Sequence, residues 1–266
     1  MIGLNYLGKM GQLGNQMFQY AAIRGIARKA GLQFTIPDHT EVWKDSLGNN
    51  LRIELFDVFD INPDITGFLA GASNIYTEKH FHFDEKMFDC KDNVCLAGYF
   101  QTEKYFKHIE DDIRKEYTFK SYLREACEPF RESCEGSIGL HIRRGDFLKN
   151  SGNHHNLSMS YYERALQEFP EDTPVIIFSD DTDWCKEQEL FSSDRFLVSE
   201  SGSSYVDLCL MPMCSYHIIA NSSFSWWGAW LADSKKVVYP DKWFGPNNAD
   251  KSTEDLFPEE WSMVND

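Results

Sequence analysis

Apolar positions follow two rhythms along this chain. Between Asn15 and Lys29, Phe18, Ala22 and Ile26 recur at four-residue intervals, the period of one helix face, and Gly31 supplies a stop. Ahead of that stretch, Ile2–Leu7 is a short apolar run and 8–14 a loop carrying three glycines. Strand, glycine loop and helix form the opening of an α/β unit. Residues 34–100 are less regular: Phe34–Ile36 and Val94–Ala97 read as strands, and the aromatic-rich segment between them has no clear period. Positions 102–128 are charged and helical, in two pieces. Beyond a polar break ending at Gly136 the alternation is regular. Strands are predicted at 137–142, 174–179, 195–198, 216–220 and 236–239, with helices at 159–169, 183–191, 203–214 and 223–232. Continuous apolar strands alternating with helices predict a parallel sheet covered on both faces. The break divides the chain into 1–133 and 134–266.

Composition narrows the class. Hydrophobic residues are 42% of the 266 and aromatics 15%, enough for real cores. The formal net charge is -16, which disfavours nucleic acid and acidic membrane surfaces as partners. The acid is concentrated late: from Glu171 to Asp266 there are 18 acidic and 6 basic side chains. A phosphorylated ligand must therefore be held by focused groups rather than a general basic field. The seven cysteines include no Cys-x-x-Cys pair and read as reduced, buried thiols of a cytoplasmic protein. No window approaches a transmembrane span, so a cytoplasmic location, or a peripheral one on the inner face of the membrane, is expected.

In a parallel α/β sheet, ligands bind beyond the carboxyl ends of the strands. Four segments sit there. The first is His141-Ile-Arg143-Arg144-Gly145-Asp146. Strand alternation sends His141 and Arg143 one way and Arg144 the other. An Arg144–Asp146 ion pair would leave Arg143 free to fork onto phosphate oxygens; the plain alternative is that both arginines only make salt bridges. The second is Asn221-Ser222-Ser223-Phe224-Ser225 at a helix start, where amides and hydroxyls attract anions; ordinary capping is the alternative. The tryptophans at 226, 227 and 230 read mainly as core. The third is Asp180-Asp181-Thr182-Asp183, with acids for ribose hydroxyls or a base. It also spells an Asp-x-Asp metal–diphosphate pattern, set aside because Asp183 sits where it would cap a helix. The fourth is Gly11-Gln-Leu-Gly14-Asn15-Gln16, neither a Walker loop nor a full Gly-x-Gly-x-x-Gly. Asp207, mid-helix among apolar neighbours, wants a partner such as a guanine edge. His154 and His155 follow Asp146 in a loop.

Together, His-Ile-Arg-Arg-Gly-Asp, Gly-Gln-Leu-Gly-Asn-Gln-Met-Phe-Gln-Tyr-Ala, Phe-Ser-Asp-Asp and Asn-Ser-Ser-Phe-Ser-Trp-Trp-Gly-Ala-Trp-Leu resemble the bacterial alpha-1,2-fucosyltransferases of glycosyltransferase family eleven, over residues 11–231. The resemblance implies a GT-B-type α/β fold: two Rossmann-like domains with parallel sheets and a cleft between them, the acceptor on the 1–133 side and the GDP-sugar on the 134–266 side. It implies GDP-β-L-fucose as donor, the 2-hydroxyl of a galactose in a glycan as acceptor, inversion at the transferred carbon, and no obligatory metal or other cofactor. It carries β-phosphate binding over to Arg143, a guanine-side contact to His141, guanine reading to Asp207, phosphate binding to Ser222, Ser223 and Ser225, and approach to the sugar to Asn15. Phe147 departs from the pattern, standing where tyrosine is common.

The chemistry then needs charge neutralisation on the departing GDP, for which Arg143 is the candidate, and removal of a proton from the acceptor hydroxyl. Asp146 and His154 are both candidate bases. An ion pair with Arg144 would lower the basicity of Asp146 and favour His154. A base-poor route, with the leaving phosphate taking the proton, stays open. Another GDP-sugar, another acceptor hydroxyl, or a non-catalytic glycan-binding protein are the competing readings.

Overall fold

The computed structural model describes every residue except 39–41, 46, 47, 49, 64 and 233, together with the backbone alone at Trp43. The chain divides into two compact units, one of Met1–Lys120 with Lys251–Pro258, the other of Ser121–Asp250 with Glu259–Asp266. The division thus falls ahead of the polar break at 128–136. The physical reason is the helix α3 (Ser121–Cys127), which packs on the later helix Ser204–Leu210: the Cys127 thiol donates to the Val206 carbonyl at 3.7 Å.

The first unit is built on a parallel sheet of β1 (Ile2–Gly3), β2 (Phe34–Thr35), β3 (Asn74–Thr77) and β4 (Val94–Ala97), in the order β2-β1-β4-β3. Strand β1 is shorter than its apolar run, because the chain turns after Gly3. Helix α1 (Leu13–Ala30) follows, and Phe18, Ala22 and Ile26 are fully buried along one face, as their spacing predicts. Gly31 ends it in the left-handed region, φ 66°, with its N–H returned to Ala27 and Arg28. Gly25 lies where the helix meets the Tyr105 carbonyl; a Cβ there would sit 2.0 Å from that oxygen. The helical piece predicted at 102–128 is broken: two short 3-10 turns precede α2 (Glu110–Glu116), and α3 belongs to the second unit. Strand β3 lies within the stretch that has no sequence period; three of its four residues are solvent-exposed, so no buried stripe marks it.

The second unit has a six-stranded, all-parallel sheet. Its strands are β5 (Ile138–Ile142), β6 (Val175–Ser179), β7 (Phe196–Val198), β8 (Tyr216–Ile218), β9 (Lys236–Pro240) and β10 (Ser262–Val264), in the order β10-β9-β8-β5-β6-β7. The helices between them are α4 (Gly145–Lys149), α5 (Met159–Leu166), α6 (Thr182–Lys186), α7 (Ser204–Leu210) and α8 (Ser223–Leu231). All five β5 residues are buried, the signature of a strand covered on both faces. Ile138, Leu140 and Ile142 pack with Val175, Ile177, Ile218 and Val238, and burying each such side chain contributes roughly 1.5–3 kcal/mol. Counted from β5, the strand order is the doubly wound 3-2-1-4-5-6, and the direction of winding reverses between β5 and β8. Strand β10 and helix α4 are elements that the hydrophobic pattern does not announce.

Candidate active site

The winding reversal fixes where to look. Between β5 and β8 successive crossovers leave in opposite directions, which opens a crevice at their carboxyl ends. Those ends carry the two segments with the densest candidate chemistry: 141–146 after β5, and 220–225 after β8.

At the end of β5 the two arginines part company. Arg143 Nη2 donates to Asp146 Oδ1 at 2.6 Å, and its Nη1 pairs with Asp180 Oδ2 at 3.0 Å. Arg144 instead lies over the Trp184 ring, 3.7 Å from the centroid, and bonds Asp181 Oδ2 at 2.9 Å through Nε. The expected Arg144–Asp146 pair is therefore replaced. The neighbouring strand β6 delivers two carboxylates at its own end, and each arginine takes one of them. A guanidinium has five N–H donors. Arg143 spends two on these carboxylates, which leaves three for a ligand among the described residues.

Asp180 ties the two strand ends together. Its Oδ1 accepts the Arg144 N–H at 2.9 Å, and a Cβ on Gly145 would lie 2.3 Å from its Oδ2. Only glycine fits there. Asp181 caps α6, with Oδ1 accepting the Trp184 N–H at 3.3 Å, so the cap is Asp181 and not Asp183. Both Asp181 oxygens are thus engaged. Among the described residues no group of three or more His, Cys, Asp or Glu side chains is placed to hold a metal ion.

His141 and His217 are both buried, on adjacent strands, and their surroundings differ. His217 has both ring nitrogens engaged, Nε2 with the Met211 carbonyl at 2.8 Å and Nδ1 with Ser234 Oγ at 3.0 Å. His141 Nδ1 is buried with no partner among the described residues. Burial, with the nearby Arg143 charge, pushes the His141 pKa down to about 3, so its ring is neutral at physiological pH. Its ring lies 5.5 Å from that of Phe224, the second residue of α8.

Following β8, Ser222 caps α8 by accepting the Phe224 N–H at 3.3 Å. Ser223 is half-buried at the first turn, whereas Ser225 is buried and its hydroxyl points back to the Ser222 and Ala220 carbonyls. Asn221 also turns inward: its Nδ2 donates to the His155 and Trp243 carbonyls at 2.8 and 2.9 Å. The Asn221 and Ser225 side chains are thus committed to the fold and the Ser222 hydroxyl to the cap, while Ser223 is half-buried at the first turn. Trp226, Trp227 and Trp230 are core. After β7, Asp207 Oδ1 accepts from Ser199 and Ser201 hydroxyls at 2.7 and 2.8 Å; burial pushes its carboxyl up. His154 stacks on Phe147 with centroids 4.0 Å apart, and His155 bonds Asp266 Oδ2 at 2.5 Å through Nε2.

In the first unit, Gln16 is structural. Buried in α1, it donates to the Arg52 carbonyl at 2.7 Å and accepts the Glu54 N–H at 2.8 Å. Asn15 is placed differently: its Oδ1 accepts from Gln101 Nε2 at 2.7 Å, just beyond the end of β4. The contact between Asn15 and Gln101 has no signal in the sequence.

A doubly wound parallel sheet with a forked cation, a neutral histidine and a helix start at its switch point is an α/β arrangement whose strand ends can receive a ligand. The chain belongs to glycosyl transferase family 11, whose family model matches residues 1–265. It is 31% identical to the Escherichia coli alpha-1,2-colitosyltransferase, covering 96% of each chain. It is 26% identical to the Bos taurus galactoside 2-alpha-L-fucosyltransferase SEC1, over 88% of this chain and 66% of that one. Its fold is similar to that of NodZ alpha-1,6-fucosyltransferase, a structure soaked with GDP-fucose, with TM-score 0.54 and 14% identity over 86% of this chain and 91% of that one. The GT-B-type α/β fold expected from the sequence is the fold observed. Among the described residues no helix is long and apolar enough to cross a membrane.

Proposed function

We propose that this glycosyltransferase transfers L-fucose from GDP-β-L-fucose to the 2-hydroxyl of a galactose in a glycan, with inversion and without a metal. The observation that carries the reading is Arg143 just beyond β5 at the winding reversal, with two of its five N–H donors on Asp146 and Asp180. When the bond between the sugar and the diphosphate breaks, negative charge builds on the β-phosphate. A guanidinium and preorganised amides at a helix start stabilise that charge without reorganising. His141 Nδ1 and the second oxygen of Asp207 are polar positions suited to a base edge, and Asn15 is suited to a sugar hydroxyl. Arg144, locked between Asp181 and Trp184, keeps the strand end in place and does not itself bind the ligand.

A second reading keeps the chemistry and changes the sugar. It is favoured by the 31% identity with the colitosyltransferase, which is spread over nearly the whole of both chains. The test is incubation with GDP-fucose and other GDP-sugars against a panel of galactosides, with NMR of the product linkage. A fucosyl-α-1,2-galactose product supports the first reading; transfer only from another GDP-sugar supports the second. EDTA is expected to leave the rate unchanged. A strict Mn²⁺ or Mg²⁺ requirement would contradict the metal-free route.

A further inference from the structure

Arg143 rests on more than its two carboxylates. Its guanidinium carbon lies over the Phe147 ring, 5.4 Å from the centroid, and Phe147 is only 8% exposed. Positions four apart on a helix are neighbours, so the first turn of α4 returns this ring to the arginine that precedes it. A second ring continues the contact. His154 lies flat against Phe147, with centroids 4.0 Å apart and planes 13° from parallel. Guanidinium, phenyl ring and imidazole are thus in continuous contact just beyond β5.

The imidazole is delivered by a closely fitted loop. After α4 the chain turns at Asn150, whose carbonyl accepts the Asn153 and His154 N–H groups, both at 3.0 Å. A segment beyond β9 clamps this turn. The Gly245 N–H donates to the Asn153 carbonyl at 3.0 Å and the Asn247 N–H to the Gly152 carbonyl at 2.7 Å. His154 itself pairs with Phe244 in an antiparallel bridge. Two glycines permit the approach: a Cβ on Gly152 would lie 2.6 Å from Asn247 Nδ2, and one on Gly245 2.5 Å from the Ser151 carbonyl oxygen. The next residue, His155, is fixed through its own ring to Asp266. Such a loop holds a ring in one plane.

Two carboxylates alone restrain a guanidinium loosely. In each Arg143 pair one nitrogen meets one oxygen, and the Asp146 and Asp180 side chains are 23% and 26% exposed, where water weakens an ion pair. An aromatic face attracts the cation and limits its tilt, which sets the direction of the remaining N–H groups. Donors fixed in advance are the ones that stabilise a developing charge. We propose that Phe147 and His154 are positioning residues for Arg143, with His154 acting through the Phe147 ring as a slab and not on the acceptor hydroxyl as a base. The inference rests on the glycosyl-transfer reading above. Phe147, standing where tyrosine is common, needs only its ring for this role.

Ring replacements separate slab from base. For a slab, His154→Ala should weaken GDP binding about three- to ten-fold in a calorimetric titration without acceptor, the scale of one ring or cation–ring contact. His154→Phe keeps a ring and cannot take a proton; it should restore GDP affinity and hold kcat to within about three-fold of wild type. A base would leave GDP binding unchanged in both variants and lower kcat in both by about 10²–10⁴. Phe147→Leu should reproduce His154→Ala, and Phe147→Tyr should bind GDP as wild type does. A His154→Phe protein whose kcat falls by more than about thirty-fold overturns the assignment, whatever the fold of the other variants. So do His154→Ala and Phe147→Leu proteins that bind GDP as wild type does. Wild-type protein that binds no GDP overturns the proposed function, and this inference with it.

Discussion

The two sheets end in opposite electrostatics. In the second unit, the ends of β5 and β6 form a lattice of full charges, with Arg143 between Asp146 and Asp180 and Arg144 between Asp181 and the Trp184 ring. In the first, the ends of β3 and β4 carry one carboxylate held by backbone amides, with the amide side chains of Asn15 and Gln101 nearby. One edge offers fixed cationic donors, which suit a phosphate. The other offers the Glu78 carboxylate among backbone amides, within reach of the Lys251 charge. Parallel strand ends supply the position in both cases, and the side chains decide what each can bind.

Among the second unit's variants, the largest effect should come from the charged edge. Arg143→Ala should lower transfer on the order of 10²–10³, the usual consequence of removing one preorganised donor to a developing oxyanion, with the fold retained by circular dichroism. Retention of more than about a tenth of the rate would remove the contrast between the two edges. Next, Gly145→Ala places a Cβ against Asp180 and should shift that carboxylate off both arginine contacts. A loss of donor affinity of about ten-fold is expected, the worth of one charge-assisted hydrogen bond, read as KM for GDP-fucose.

At the first unit's edge, pH separates the variants. Folding raises the Glu78 pKa from 4.5 to about 7, so the folded state holds that proton more tightly than the unfolded chain. Its stabilising contribution is complete below pH 4.5 and is lost as pH rises through 7. Gln cannot ionise, so the Tm of Glu78→Gln relative to wild type should rise across that window and flatten above it. A flat difference would place Glu78 at an ordinary pKa. The smallest effect should be Arg144→Lys: loss of the Nε bond to Asp181 and of the stacking on Trp184 should cost about 1 kcal/mol of stability in a denaturant titration, with kcat nearly unchanged.

The second unit was far more legible in the sequence than the first. Its strands are buried on both faces and write themselves as apolar runs, so the β5–β9 pattern and the position of Arg143 could both be read from the chain. The pairing of the arginines could not, because it depends on which carboxylates the neighbouring strand β6 delivers, and register is not written in spacing. The inward turn of Gln16, Asn221 and Ser225 was hidden for a similar reason: a polar side chain at a helix start reads alike whether it faces a ligand or a distant carbonyl. In the first unit, β3 is mostly exposed and its sequence carries no periodic stripe, so Glu78 had no signal. The glycine at 98 and the strained Phe100 that make its cradle are visible only in the folded chain.

The central claim is that the crevice between β5 and β8 holds the sugar nucleotide through Arg143. Isothermal titration of GDP into the wild-type protein and into Arg143→Ala tests it most directly. The account predicts saturable one-to-one binding to wild type, weakened by at least about ten-fold in the variant, the scale of a lost charge-assisted contact to phosphate. Equal GDP affinity in the two proteins would contradict it.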